Sequence, residues 1–205
     1  MNGKITLTAL LFCVTLFIPF PLFTQDFVLL GTVLIQYRGN AEHVTIPEGV
    51  TSIGNNAFAR CSDIKTITIT SSVTSIGNWA FFKCSSLTDI TIPASVISIG
   101  NSAFYECNGL ISITIPASVT FIGNSAFCGC GSLTNIIIPE SVTYIGNFTF
   151  LYCRSLTSIV IPASVTSIGL SAFSRCDNLR TVVVSIRTAI GNNAFPEGAE
   201  IRYND

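Results

Sequence analysis

The chain has 205 residues, of which 49% are hydrophobic and 10% are charged, and its 10 Lys and Arg residues nearly balance 11 Asp and Glu residues. This near-neutral composition lacks the basic footprint with which proteins neutralise nucleic-acid phosphates, so a nucleic-acid partner is not expected. The single histidine, His43, leaves little scope for acid–base or metal chemistry.

The N-terminal segment has the layout of an export signal. Residues 1–4 contain one lysine, and residues 5–23 form an uncharged apolar run, a pattern typical of a secretory signal peptide that is cleaved near residues 24–26. The alternative is an uncleaved anchor, because the run approaches the roughly 20 residues that span a bilayer. We therefore assign residues 1–25 to a signal peptide or anchor, and expect membrane contact only through this segment.

A short motif recurs through the remainder of the chain. It reads IGNNAF from residue 53, IGNWAF from 76, IGNSAF from 99 and 122, IGNFTF from 145, IGLSAF from 168 and IGNNAF from 190. The interval is 23 residues, and 22 at the last step. A period in the range of 20–50 residues indicates a solenoid, in which each unit buries its apolar face against its neighbours.

The pattern within one repeat predicts its local structure. Ile113, Thr114 and Ile115 alternate apolar and polar, which predicts a strand that ends at Pro116. A second extended piece is expected at residues 119–122, and Gly123 is expected to ease a sharp turn. One column should form an internal aromatic stack: Phe58, Phe81, Phe104, Phe127, Phe150, Phe173 and Phe195.

The consensus L-x-x-I-x-I-P-x-S-V-x-x-I-G-x-x-A-F-x-x-C resembles the leucine-rich repeat of the BspA-like type (type 5). This resemblance implies a repeat solenoid, a right-handed superhelix or horseshoe of mostly short parallel β-strands with short helical turns. About seven repeats would cover residues 44–195. Residues 26–43 resemble the N-terminal hairpin cap of that family, and residues 196–205 resemble its closing strand.

The cysteines repeat with the same period and are interpreted as structural. Equivalent thiols stack about one strand spacing apart, which does not suit a disulfide, and a buried ladder of free thiols is expected at Cys61, Cys84, Cys107, Cys130, Cys153 and Cys176. Cys128 falls outside the ladder and is expected to be an exposed, potentially reactive thiol. No set of residues predicts a zinc site, a catalytic group or a cofactor site, and His43 is expected on the surface.

Two variable surfaces are the candidate binding sites. The outward strand position changes from Thr at residues 45, 68, 91 and 114 to Ile137, Val160 and Val183. This change predicts an exposed apolar strip flanked by Asn135 and Ser158; the alternative is that β-branched residues simply favour strands. The second candidate is a set of aromatic residues at positions that other repeats fill with small or polar side chains: Trp79, Phe82, Tyr105, Phe121, Tyr144, Phe148 and Tyr152. Local packing between turns is the alternative for these.

We therefore expect a non-enzymatic, secreted or surface-exposed module that binds a protein ligand. The family resemblance further implies adhesion to host or cell-surface proteins. A self-associating structural module of the cell envelope, joined through the apolar strip, is the alternative.

Overall fold

The computed structural model of the protein describes residues 26–204, so the predicted signal peptide lies outside the described residues. The described chain begins with an antiparallel hairpin of β1 (Phe27–Leu30) and β2 (Val33–Tyr37). Gly31, at φ 61°, occupies the tight turn between them. This left-handed conformation carries no steric penalty for glycine.

From residue 43 onwards the chain alternates between a strand of three or more residues and a strand of two. The strands in chain order are β3 (His43–Thr45), β4 (Ser52–Ile53), β5 (Thr66–Thr68), β6 (Ser75–Ile76), β7 (Asp89–Thr91), β8 (Ser98–Ile99), β9 (Ser112–Thr114), β10 (Phe121–Ile122), β11 (Asn135–Ile137), β12 (Tyr144–Ile145), β13 (Ser158–Val160), β14 (Ser167–Ile168), β15 (Thr181–Ser185), β16 (Ala189–Ile190) and β17 (Glu200–Asn204).

After the hairpin, most strands pair in parallel with the equivalent strand of the next repeat, in register. Ile67 lies opposite Ile90, for example, and Ile76 lies opposite Ile99. The longer strands form one side of the solenoid and the two-residue strands, with the hairpin, form a second side. Strand pairing is interrupted once on each side, between β10 and β12 and, one repeat later, between β11 and β13. This arrangement confirms the predicted parallel solenoid of about seven turns.

The third side of the solenoid, which we call the turn face, comprises the residues from the motif glycine to the cysteine of each repeat, such as 100–107. Two or three backbone hydrogen bonds join each turn to the next there, including Phe104 N–H to the Ala126 carbonyl at 2.7 Å and Glu106 N–H to the Cys128 carbonyl at 2.7 Å. Residues 26–204 contain no helix, so the expected helical turns are not seen there. Each turn instead uses left-handed residues, such as Ser102 and Glu106 at φ 53° and 56°.

The motif glycines have a different role from the one expected. Gly123 does not have a positive φ; a Cβ there would lie 2.5 Å from the backbone nitrogen of Asn101 in the preceding turn. Glycine is therefore needed because two turns approach closely, and the sharp change of direction falls two residues later, at Ser125 (φ 56°).

The core is one continuous cluster of buried side chains, in which equivalent residues of successive repeats stack in columns. The predicted phenylalanine column forms a continuous stack with centroid separations of 4.9–5.5 Å, and the separation is widest between Phe127 and Phe150, at the step where pairing between β10 and β12 is interrupted. Tyr37 continues the stack into the hairpin, with its ring 5.2 Å from Phe58. At the other end β17 pairs with β15, and Phe195 is only partly buried.

Candidate binding surface

An aromatic cluster lies on the turn face of the second and third repeats. The Trp79 ring is 5.1 Å from Phe82 and 5.5 Å from Tyr105, and Phe82 and Tyr105 are 5.7 Å apart. Two cations flank it, with the Arg60 guanidinium 5.6 Å and the Lys83 amine 5.3 Å from the Phe82 ring centroid. These residues belong to variable columns, so the cluster is an addition to the repeat consensus.

Trp79 occupies a backbone position that disfavours bulky residues. Its φ is 57°, in the left-handed region, which costs roughly 1–2 kcal/mol for an ordinary L-residue. Equivalent positions in the other repeats have φ of 51–59° and are mostly serine or asparagine: Asn56, Ser102, Ser125, Phe148, Ser171 and Asn193. Trp79 nevertheless remains 38% exposed. An exposed tryptophan at an unfavourable φ is not required by the fold.

A notch lies beside this cluster, where the fourth repeat reads Cys128-Gly129-Cys130-Gly131. Gly129 stands in the column occupied elsewhere by Arg60, Lys83, Glu106, Tyr152 and Arg175, and Gly131 in the column of Ser62, Ser85, Asn108, Arg154 and Asp177. The two missing side chains leave an open cavity of about 320 Å³. We call this cavity the notch; it is lined by Tyr105, Glu106, Asn108, Cys128, Gly129, Gly131, Tyr152 and Arg154.

The prediction that Cys128 is exposed was wrong. Its side chain is only 4% exposed and lies on the floor of the notch beside Tyr105 and Tyr152. Burial raises the pKa of the Cys128 thiol to about 11, with the nearby Tyr105 hydroxyl opposing and Glu106 adding to the shift. Burial also raises the pKa of Tyr105, and Cys128, Glu106 and Tyr152 raise it further. A thiol in this setting is protonated at neutral pH and is therefore a poor nucleophile.

The apolar strip on the longer-strand side is shorter than expected. Ile137 and Val160 are 67% and 62% exposed, whereas Val183 is half-buried because β17 pairs alongside it and places Arg202 opposite. Asn135 and Ser158 are exposed beside the strip.

Phe121 and Tyr144 hold equivalent positions in β10 and β12 and are 50% and 41% exposed. They flank the interruption in pairing on the two-residue-strand side, as Ile137 and Val160 do on the other. The remaining aromatic candidates are Phe148, which is half-buried, and Tyr152, which is 42% exposed. The candidate residues therefore occupy three sides of the solenoid, and only the turn face brings several of them into contact.

The periodic cysteines are free and lie inside the solenoid. Cys84, Cys107, Cys130, Cys153 and Cys176 are fully buried, and Cys61 is partly buried. Each of the five buried thiols donates a hydrogen bond to the carbonyl of the phenylalanine 26 residues earlier; for Cys107 and Phe81 the distance is 3.1 Å. Burial raises the pKa of Cys107 well above its usual value. The ladder is therefore part of the core.

Residues 26–204 hold no cluster of His, Cys, Asp and Glu placed to ligate a metal ion. His43 is exposed, with Nδ1 2.9 Å from the Thr66 hydroxyl. Within the same range no helix is long and apolar enough to cross a membrane.

An asparagine ladder was missed in the sequence. The side-chain oxygen of each of the first five motif asparagines accepts a hydrogen bond from the backbone N–H of the equivalent residue in the next repeat; Asn101 and Asn124 show this contact at 2.8 Å. The ladder runs from Asn55 to Asn147, whose acceptor binds Leu170 N–H at 2.8 Å. The recurring asparagine of the IGN motif was the available signal. The two glycines of the notch were also missed, although each departs visibly from its column.

The solenoid and its repeat pattern define a class of leucine-rich repeat protein, and the comparison of the sequence with known protein families agrees. The BspA type leucine rich repeat region matches residues 34–108 and 80–202, in six copies. The chain belongs to this family. No functionally curated protein matches the sequence.

Solved structures with this fold come from several bacteria. The chain is similar to a leucine-rich repeat protein of T. pallidum, with 30% identity over 82% of this chain and 77% of that one and a TM-score of 0.70. A Bacteroides ovatus leucine-rich repeat protein gives 27% identity, 78% and 55% coverage and a TM-score of 0.61, so the chain spans about half of that protein. A leucine rich cell surface protein of Faecalibacterium prausnitzii, at 22% identity, 87% and 74% coverage and a TM-score of 0.50, shares the fold.

Proposed function

We propose that this protein is a secreted or surface-exposed, non-catalytic module that binds a protein ligand through its turn face. The observation that carries the proposal is Trp79, an exposed indole held at φ 57° beside Phe82 and Tyr105. The left-handed φ recurs in every repeat, so the feature particular to Trp79 is a bulky aromatic side chain in a column that serine and asparagine mostly fill. Aromatic residues with exposed faces are enriched among the residues that dominate protein–protein binding energy.

The proposed location rests on the N-terminal sequence and the family. Residues 5–23 have the composition of a signal peptide, and one solved relative is described as a cell surface protein. Within this proposal, adhesion to host or cell-surface proteins is the specific role. Mass spectrometry of the exported chain should find a new N-terminus near residues 24–26; an intact Met1 on a membrane-bound protein would instead favour the anchor.

The binding proposal is tested with purified extracellular-matrix and cell-surface proteins immobilised for interferometry. The variant Trp79→Ser introduces the residue that stands at this position in three other repeats, so it should fold. We expect it to weaken binding at least about tenfold, the equivalent of 1.4 kcal/mol, while the control Asn56→Ser, at the equivalent left-handed position, binds as the parent does. Binding that Trp79→Ser leaves unchanged would rule out this part of the turn face.

Self-association through Ile137 and Val160 is the second candidate. These two side chains hold equivalent positions on β11 and β13 and are both more than half exposed. Two side chains cover far less than the roughly 800 Å² per partner of a standard interface, so this candidate is the weaker one. Sedimentation at tens of micromolar tests it: a strict monomer contradicts it, and an oligomer that Val160→Asp dissolves supports it.

A further inference from the structure

We infer that the notch is a binding site for one neutral sugar ring, a role that goes beyond the protein binding proposed for Trp79, although Tyr105 adjoins both sites. The notch is a recess produced by sequence, since Gly129 and Gly131 remove two side chains from columns that are otherwise filled. Its volume of about 320 Å³ lies at the lower end of small-molecule pockets, which run from about 300 to 1,000 Å³. It therefore has room for one ring.

Aromatic residues stand on two sides of the notch. Tyr105 belongs to the third repeat and Tyr152 to the fifth, so their backbones are two steps apart along the solenoid, about 10 Å. Tyr152 is 42% exposed, and the Arg154 guanidinium lies over its ring, 5.5 Å from the centroid. The C–H face of a pyranose packs against such a ring through dispersion and weak C–H interactions.

The polar groups of the notch favour a neutral ligand with hydroxyl groups. Glu106 is paired with Lys83 at 3.2 Å, and Arg154 is paired with Asp177 at 3.6 Å. The notch thus offers one carboxylate, one guanidinium and the exposed carboxamide of Asn108, with no uncompensated charge among them. Carboxylates only accept hydrogen bonds, guanidinium groups only donate them, and carboxamides do both, which matches a set of hydroxyl groups.

The single tryptophan of the chain provides a reporter, because Trp79 lies 5.5 Å from Tyr105. Protein obtained by expressing the full chain is titrated with the methyl glycosides of glucose, galactose and N-acetylglucosamine. Binding is followed by tryptophan fluorescence and by saturation-transfer NMR from protein to sugar protons. We expect at least one glycoside to show saturable binding by both measurements.

The decisive variant is Gly129→Arg, which fills the notch. Arginine already occupies this column at Arg60 and Arg175, at φ 65° and 58°, so the backbone conformation is known to accept it. Gly129→Arg and Tyr152→Arg should each weaken glycoside binding at least about tenfold, or 1.4 kcal/mol. The control Arg175→Gly changes the same column two repeats away and should bind as the parent does.

Three results would overturn the inference. The first is the absence of saturation transfer to every glycoside. The second is glycoside binding that Gly129→Arg leaves intact. The third is a notch that binds no glycoside but binds a proline- or tyrosine-containing peptide, with that peptide binding lost in Gly129→Arg. The last result would make the notch part of a peptide site. Protein binding lost in Trp79→Ser is a separate readout, so failure of the sugar inference and failure of the proposed function are distinguishable.

Discussion

Replacing Gly123 with alanine tests the close approach of neighbouring turns. The added Cβ would lie 2.5 Å from the Asn101 nitrogen and 2.6 Å from the Gly100 carbonyl carbon, and both are backbone atoms that cannot rotate away. Restoring an ordinary contact requires the two turns to separate by nearly 1 Å. That movement stretches two hydrogen bonds, Gly123 N–H to the Ile99 carbonyl at 2.9 Å and Asn124 N–H to the Asn101 side chain at 2.8 Å.

The magnitude of this effect follows from three contributions. Two lost hydrogen bonds cost about 1 kcal/mol each, and overpacking adds about 1–3 kcal/mol. The smaller conformational freedom of unfolded alanine returns about 0.4–1 kcal/mol. The net loss is therefore about 2–5 kcal/mol, which lowers Tm by roughly 4–20 °C in a chain of this size.

The matched control is Gly131→Ala, measured by thermal unfolding followed by circular dichroism. A Cβ at Gly131 would meet only the Asn108 side-chain oxygen, at 3.7 Å, and Gly131 has no positive φ. Its Tm should equal or slightly exceed that of the parent protein. If Gly123→Ala unfolds at the same temperature as Gly131→Ala, close approach of the turns is not the reason for the glycine column.

Three further predictions concern the core, the asparagine ladder and the thiols. Phe127→Ala removes a fully buried ring between Phe104 and Phe150 and should lower the free energy of unfolding by about 3–5 kcal/mol; an unchanged urea midpoint would contradict the stack. Leu170→Asn replaces a 41% exposed leucine in the asparagine column and supplies an acceptor for the next repeat, so it should raise stability by about 0.5–1.5 kcal/mol, which the Tm will show. The folded protein keeps the Cys128 proton up to a pKa of about 11, whereas an ordinary thiol loses it near 9.0. Stability is therefore full below pH 9 and falls as the pH rises toward 11; Cys128→Ala should reduce the fall in a series of melting curves, and an identical pH profile would count against this assignment.

The periodic part of the structure was predictable because every buried column repeats. The positions of Phe127 and Cys130 follow directly from the period, since equivalent residues in a solenoid face the same way. The left-handed positions were not predictable in this manner. Their usual signal is glycine, yet Ser125 and Trp79 occupy them, and the glycine that does recur, Gly123, serves close approach instead.

The candidate surface was only partly predictable, for a related reason. Comparing equivalent positions of the repeats identifies the residues that depart from the consensus, and Trp79, Tyr105 and Tyr152 were found on that basis. The same comparison does not show which of these unusual residues come into contact when adjacent repeats stack. Cys128 looked exposed when considered alone, but Tyr105 from the preceding repeat and Tyr152 from the next lie beside it. Contacts between non-equivalent positions require the three-dimensional stacking.

Outside the asparagine ladder and the buried columns, the turn face can vary because its remaining hydrogen bonds between turns do not depend on side chains. Each turn is joined to the next by backbone groups, as in Trp79 N–H to the Asn101 carbonyl at 2.9 Å and Lys83 N–H to the Tyr105 carbonyl at 2.8 Å. The buried columns supply the stability, so residues outside them are limited mainly by the cost of a left-handed φ. Ser102 and Trp79 both adopt the left-handed φ. Serine exposes little apolar surface there, whereas Trp79 exposes an aromatic ring. The proposed ligand would therefore account for aromatic residues on the turn face that the repeat itself does not require.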